Sequence, residues 1–196
     1  KPALLISKST HSICEKAEFM EMSEIRSQFE LNFFAHVAVT KAALPMLRKS
    51  KGRIIFTSSA AAIFPIPFQS FYSATKSAIE SLTCALANEL KAFGISVCAV
   101  RLGDVKTGFT AARQKDFAGD DIYGGMISKS VSVMENDEIH GMKPEEIAAA
   151  VMKVAQKKKP PVIVTVGTKY KLFCFLAKIL PQNTANKIVG SMYMPK

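Results

Sequence analysis

Four short, continuous apolar runs alternate with long segments of helical periodicity, and this alternation constrains the fold most. The runs are residues 3–7 (ALLIS), 53–58 (RIIFTS), 95–101 (ISVCAVR) and 161–166 (PVIVTV). Strands that are apolar along their whole length belong in a parallel sheet covered on both faces. Ser23 is placed to cap a long helix over 24–49, with Ile25, Phe29, Phe33 and His36 or Val37 on one stripe. Ser50-Lys51-Gly52 ends it. A second long helix is expected over 70–93, stopped by Gly94. Lys143-Pro144-Glu145-Glu146 opens a third, reaching about Lys157, with proline in its first turn. The segment holding Pro65 and Pro67 reads as a loop, and so does the polar, glycine-bearing stretch 104–142, which reads as mobile. Right-handed crossovers between such strands give an α/β fold with a doubly wound parallel sheet.

The length of 196 residues suits a single domain over 1–196, and 48% hydrophobic with 21% charged residues excludes a disordered chain. The net charge of +10 favours acidic partners: a phosphorylated cofactor, nucleic acid or an anionic membrane surface. No aromatic platform or nucleic-acid motif accompanies the charge, so nucleic acid is not an expected partner. Cys14, Cys84, Cys98 and Cys174 are scattered, with no CxxC pair. No zinc site, other metal site or disulfide framework is expected, and a reducing cytoplasm fits. Cys84 and Cys98 read as buried thiols. The apolar stretch from Leu172 to Leu180 is interrupted by Lys178 and is too short to span a bilayer. It belongs to an amphipathic basic tail, 168–196, carrying Lys169, Lys171, Lys178 and Lys187. Such a tail can lie on an anionic membrane. The simpler reading is a solvated basic face whose apolar stripe packs on the domain.

The chemistry centres on Tyr72-Ser73-Ala74-Thr75-Lys76. Positions i and i+4 share one helix face, and an ammonium held there favours tyrosinate. Bringing a tyrosine towards neutral pH takes roughly 3–4 kcal/mol, more than an exposed pair supplies and within reach of a partly buried site with further positive charge. Ser59 lies thirteen residues before Tyr72, at the C-terminal end of an apolar strand. Ligands of open parallel sheets bind outside those ends.

Gly52-Arg53-Ile54-Ile55-Phe56-Thr57-Ser58-Ser59 followed by Tyr72-x-x-x-Lys76-x-Ala78 resembles the short-chain dehydrogenase/reductase family. Asn32, within Phe29-Glu30-Leu31-Asn32-Phe33-Phe34, matches the family's asparagine. Asn88-Glu89-Leu90 with Gly94-Ile95-Ser96-Val97, and Val100-Arg101-Leu102-Gly103-Asp104-Val105-Lys106-Thr107, extend the likeness. The resemblance implies a Rossmann-like fold and an oxidoreductase that interconverts a carbonyl and a secondary alcohol with NADP or NAD. It implies Tyr72 as general acid/base, Lys76 as the group lowering its pKa and bonding the nicotinamide ribose, and Ser59 as donor to the substrate oxygen. Asn32 then holds a water leading from Lys76 to solvent. Gly103, Val105 and Thr107 form the segment touching the nicotinamide. Ser58 competes with Ser59, and the spacing favours Ser59. Asn32 could instead only interrupt its helix, and Thr107 could only cap a turn. His36 reads as a packed or interface histidine, while His11 and His140 have no ligand-like neighbours in sequence.

The sequence also departs from that family. No GxxxGxG or GxGxxG spacing occurs among its ten glycines, so the loop that grips a pyrophosphate is absent. Counting back from Asn32, residue 3 falls in the family's fourth strand, so the sheet is expected to lack the first βαβαβ strands. Ser7-Lys8-Ser9-Thr10 stands where the family has Asn-Asn-Ala-Gly, and Leu102 where it has Pro. Two readings follow: part of a working enzyme, or a truncated non-catalytic relative acting as a binding or assembly module. An uncovered sheet edge favours assembly. The resemblance implies a homodimer or homotetramer paired through the helices of Asn32 and Tyr72, where Phe33, Ala35, Ala42, Leu82 and Leu86 supply apolar area or simply core packing. Phe109, Phe117, Ile122, Tyr123, Met126, Ile127 and Met134 occupy the place of the substrate loop and suit a small apolar carbonyl or alcohol, or else lid packing.

Overall fold

A computed structural model of the chain describes residues 3–8, 17–108 and 117–194. The apolar runs become four parallel strands: β1 (Leu4–Ser7), β2 (Arg53–Ser59), β3 (Ser96–Leu102) and β4 (Ile163–Thr165), side by side in chain order. Leu4 registers with Arg53, Arg53 with Ser96, and Ala99 with Ile163. Side chains alternate across the pleat, so β2, β3 and β4 each feed two cores. Ile54, Phe56, Val97 and Ala99 meet Leu47, Ile79 and Leu90 on one face. Ile55, Cys98 and Val100 meet Val151 and Val154 on the other. Helices thus cover both faces, as the continuous apolar runs require. β1 forms one border of the sheet, and its Leu4 and Ile6 are exposed.

The first helical stretch runs as α1 (Met22–Phe29), a π-helical turn over Glu30–Phe34, and α2 (Ala35–Ser50). Its N-cap is Glu21, two residues before the expected Ser23, and the Glu21 amide donates to the Glu24 carboxylate at 3.2 Å. The tyrosine helix, α3 (Ser70–Glu89), leads through a tight turn to Gly94, whose φ of +70° makes the left-handed stop. Cys84 is exposed on it, not buried as expected: an outward position at the boundary of its apolar stripe.

Residues 117–142 are more ordered than their polar, glycine-bearing sequence suggests. They contain α4 (Met126–Ile139), with Ile127, Val131 and Met134 buried against Phe68, Tyr123 and Tyr193. Pro144 opens α5 (Pro144–Gln156) as expected. The Arg53 guanidinium closes its far end by donating to the carbonyls of Val154, Ala155 and Lys157 at 2.7, 2.5 and 2.7 Å. The tail folds into α6 (Thr168–Ile179) and α7 (Gln182–Tyr193). Among the described residues no helix is long and apolar enough to cross a membrane, and no group of His, Cys, Asp and Glu is arranged to hold a metal ion.

Candidate active site

The carboxyl ends of β2 and β3 open into a cavity of about 650 Å³. Ser59 reaches it from the tip of β2, Tyr72 and Lys76 from the first turns of α3, and Gly103, Val105 and Thr107 from the segment after β3. Six of the seven residues singled out by sequence therefore meet in one space. Asn32 does not line it. Fully buried in the π-helical turn, Asn32 donates from Nδ2 to Thr75 Oγ1 at 3.4 Å, and Thr75 bonds the Tyr72 carbonyl at 2.7 Å. It braces the turn that presents Tyr72 and Lys76.

Lys76 is 1% exposed. Its Nζ lies 5.5 Å from the centroid of the Tyr72 ring and 3.4 Å from the Thr57 carbonyl. Burial pushes its pKa down to about 8, because an ammonium loses hydration there. The two neighbouring serines divide their work. Ser58 is buried and donates to Glu80 Oε1 at 2.8 Å. Ser59 accepts the Ala61 amide at 3.2 Å, which leaves its O–H to point at a ligand. Loop and helix are tied together: Ser77 Oγ donates to the Ala62 carbonyl at 2.8 Å, and the Ile66 amide donates to Ser73 Oγ at 3.3 Å. These bonds fix Ser59 relative to Tyr72.

One turn beyond Lys76, Glu80 receives a forked bond from Arg101, with Nε to Oε1 at 2.8 Å and Nη2 to Oε2 at 2.5 Å. Arg101 Nη1 also donates to Thr165 at 3.1 Å. This buried pair joins α3, β3 and β4 directly beneath the site. His36 packs below as well, bonded to Ser7 Oγ and edge-on to Phe56.

The segment after β3 is pinned on two sides. Met142 donates to the Asp104 carbonyl and accepts the Lys106 amide, each at 2.9 Å. Tyr170, at the start of α6, lies flat against Gly103, where a Cβ would sit 2.1 Å from its ring. The Asp104 amide donates to the Tyr170 oxygen at 2.9 Å, and the phenol donates to the Asp104 carboxylate. Burial raises the Asp104 carboxyl, opposed by that bond; burial and the carboxylate raise the Tyr170 phenol.

Sequence reasoning missed the far wall. Phe173 and Leu176 of α6 and Leu180 just after it, with Val189, Met192 and Tyr193 of α7, line the cavity. Among the described residues, the expected substrate-loop residues do not. Ile127 and Met134 are core, Tyr123 packs against them, and Phe117 and Ile122 are exposed. Met126 is half-buried outside the cavity, while Phe109 and His11 lie outside the described residues. The signal for the wall was present as apolar residues at helical spacing in the tail, whose packing partner the sequence leaves unspecified.

Comparison with known proteins agrees with this architecture. The family model for short chain dehydrogenase matches residues 3–118. The chain is 36% identical over 184 residues to 3-ketodihydrosphingosine reductase of Bacteroides thetaiotaomicron, covering 92% of this chain and 68% of that protein. It is 28% identical over 179 residues to NADPH-dependent 3-dehydrocapnine reductase of Ornithobacterium rhinotracheale, covering 87% and 63%. The fold superposes on a short chain dehydrogenase of Burkholderia cenocepacia, solved in complex with NADP, with a TM-score of 0.73 at 18% identity, over 94% of this chain and 68% of that one. The strand order, the hydroxyl, phenol and ammonium gathered at the strand ends, and the matched family model together place this chain in the short-chain dehydrogenase/reductase family.

Proposed function

We propose that this protein works as a reductase of a lipophilic carbonyl compound, running the reverse oxidation of a secondary alcohol, with NADP or NAD as hydride carrier. The observation that carries the reading is one cavity lined by Ser59, Tyr72 and Lys76 and walled largely by apolar side chains. The relatives' names, 3-ketodihydrosphingosine reductase and NADPH-dependent 3-dehydrocapnine reductase, support a ketone substrate and favour NADP.

The residues suit the nicotinamide-ribose end of such a cofactor. Lys76 is buried with one long bond to a carbonyl, so its ammonium has donors left for vicinal hydroxyls. In this reading Tyr72 and Lys76 hold the ribose, and Gly103, Val105 and Thr107 hold the carboxamide. The bound cofactor supplies the hydride. Tyr72 gives its phenolic proton to the carbonyl oxygen, and Ser59 donates to the same oxygen as negative charge builds on it. Lys76 lowers the cost of leaving a phenolate, and Asn32 keeps the Lys76 turn in register through Thr75. The apolar walls from α6 and α7 hold the substrate chain and exclude water.

The alternative is a non-catalytic binding or assembly module. Titration with NADPH and NADH separates the two. Thermal stabilisation by either, with consumption of NADPH when a long-chain 3-keto substrate is added, supports the reductase. No response to either nucleotide supports the module.

A further inference from the structure

The outer face of α6 takes no part in the cavity. Leu172, Phe175 and Ile179 point away from it and are 55, 59 and 60% exposed. Their spacing places them on one stripe. At about 100° per residue, Lys171 and Lys178 fall together along one border of that stripe, and both are exposed. Lys169 falls on the other border, 3.9 Å from Asp137.

The charge carried by the last fifty residues has one sign. Residues 147–196 contain nine lysines and no Asp or Glu, which accounts for nearly all of the net charge of +10. Lys153, Lys157, Lys158 and Lys159 are exposed at the end of α5 and just after it. A packed tail with a merely solvated basic face would not leave three large apolar side chains in water. A protein partner is poorly served, because a stable interface buries more than about 1,000 Å² and one stripe on a 12-residue helix falls short of that. A bilayer asks only for an apolar helix face bordered by lysines, the first entering the acyl boundary and the second meeting anionic head groups.

We propose that α6 docks this protein on an anionic membrane surface, with Leu172, Phe175 and Ile179 inserted and Lys171 and Lys178 on the head groups. The docking rests on the exposed stripe and the charge, independently of the reductase reading. It has a geometric consequence. Phe173 and Leu176, about 100° further round α6, line the cavity, so docking brings the cavity within one helix diameter, about 10 Å, of the acyl chains.

Vesicle flotation of the full chain tests this. The chain is expected to float with phosphatidylglycerol/phosphatidylcholine vesicles and to stay behind with phosphatidylcholine alone. Lys171→Gln with Lys178→Gln lowers the partition coefficient about twenty-fivefold, each lysine near the surface contributing about fivefold. Phe175→Ser with Ile179→Ser abolishes flotation while the far-ultraviolet circular dichroism is unchanged, both positions being exposed. No flotation with anionic vesicles, equal flotation with neutral ones, or wild-type flotation of the Phe175/Ile179 variant overturns the proposal. So does a dimer in vesicle-free solution that the same two substitutions convert to monomer, which assigns the stripe to a second copy of this chain.

Discussion

Lys76 is held in the folded protein at an energetic cost that a single substitution can expose. Its pKa falls from 10.5 to about 8 by burial. At 1.36 kcal/mol per pH unit, the folded state carries about 3 kcal/mol of penalty for the charged lysine. The folded protein binds that proton less tightly than the unfolded chain, which therefore holds more protons between about pH 8 and 10.5. Stability contributed by this group rises with pH across that window, and the penalty is present in full below it. Lys76→Met keeps the buried stem and removes the charge. It also removes the 3.4 Å bond to the Thr57 carbonyl, worth about 1 kcal/mol at most. The net gain near neutral pH is about 2 kcal/mol, or roughly 4–8 °C in Tm for a chain of this size. Urea and thermal unfolding without nucleotide measure it on either side of the window. The gain should shrink above about pH 8 and vanish by about pH 10.5. A variant less stable than wild type at neutral pH, or a gain that does not change with pH, refutes the burial argument. In the proposed reaction turnover should move the other way, because the variant has no ammonium to support a phenolate at Tyr72.

Two further substitutions probe how the site is divided. Ser58→Ala takes a donor from Glu80, which Arg101 still serves, and should cost about 1 kcal/mol in unfolding assays while leaving turnover near wild type. Ser59→Ala should do the reverse, lowering kcat on the order of a hundredfold with little change in stability. Gly103→Ala puts a methyl 2.1 Å from the Tyr170 ring and should destabilise by about 1–3 kcal/mol. Adding Tyr170→Ala should recover part of that loss, and a double-mutant cycle with a coupling below about 0.5 kcal/mol would show that the two residues do not press on each other.

The strands and the tyrosine helix were legible because their signals are local. Uninterrupted apolar runs mark doubly covered parallel strands, and Gly94 marks a stop whose positive φ the structure contains. Tyr72, Lys76 and Ser59 were legible because a helical turn and a strand end are rigid. The signals that failed are tertiary. Ile127, Val131 and Met134 carry a helical period, but the preceding Gly124-Gly125 and the surrounding polar residues obscure it. In the tail both Phe173/Leu176 and Phe175/Ile179 form apolar rows, and spacing alone does not say which row packs and which meets solvent. Cys84 sits where a boundary position on α3 turns outward. The braces of the site, Asn32 to Thr75 and Arg101 to Glu80, join residues 43 and 21 positions apart in sequence. No periodicity connects them.

The central claim is that the phenol of Tyr72 is the proton donor in a site whose other parts bind independently of it. Tyr72→Phe removes one oxygen and leaves the ring beside Lys76. Single-turnover reduction and nucleotide binding, measured on the same variant, test it most directly. NADPH binding within a few-fold of wild type, with no detectable ketone reduction at any pH, is the predicted result. Reduction that persists at a comparable rate contradicts the account.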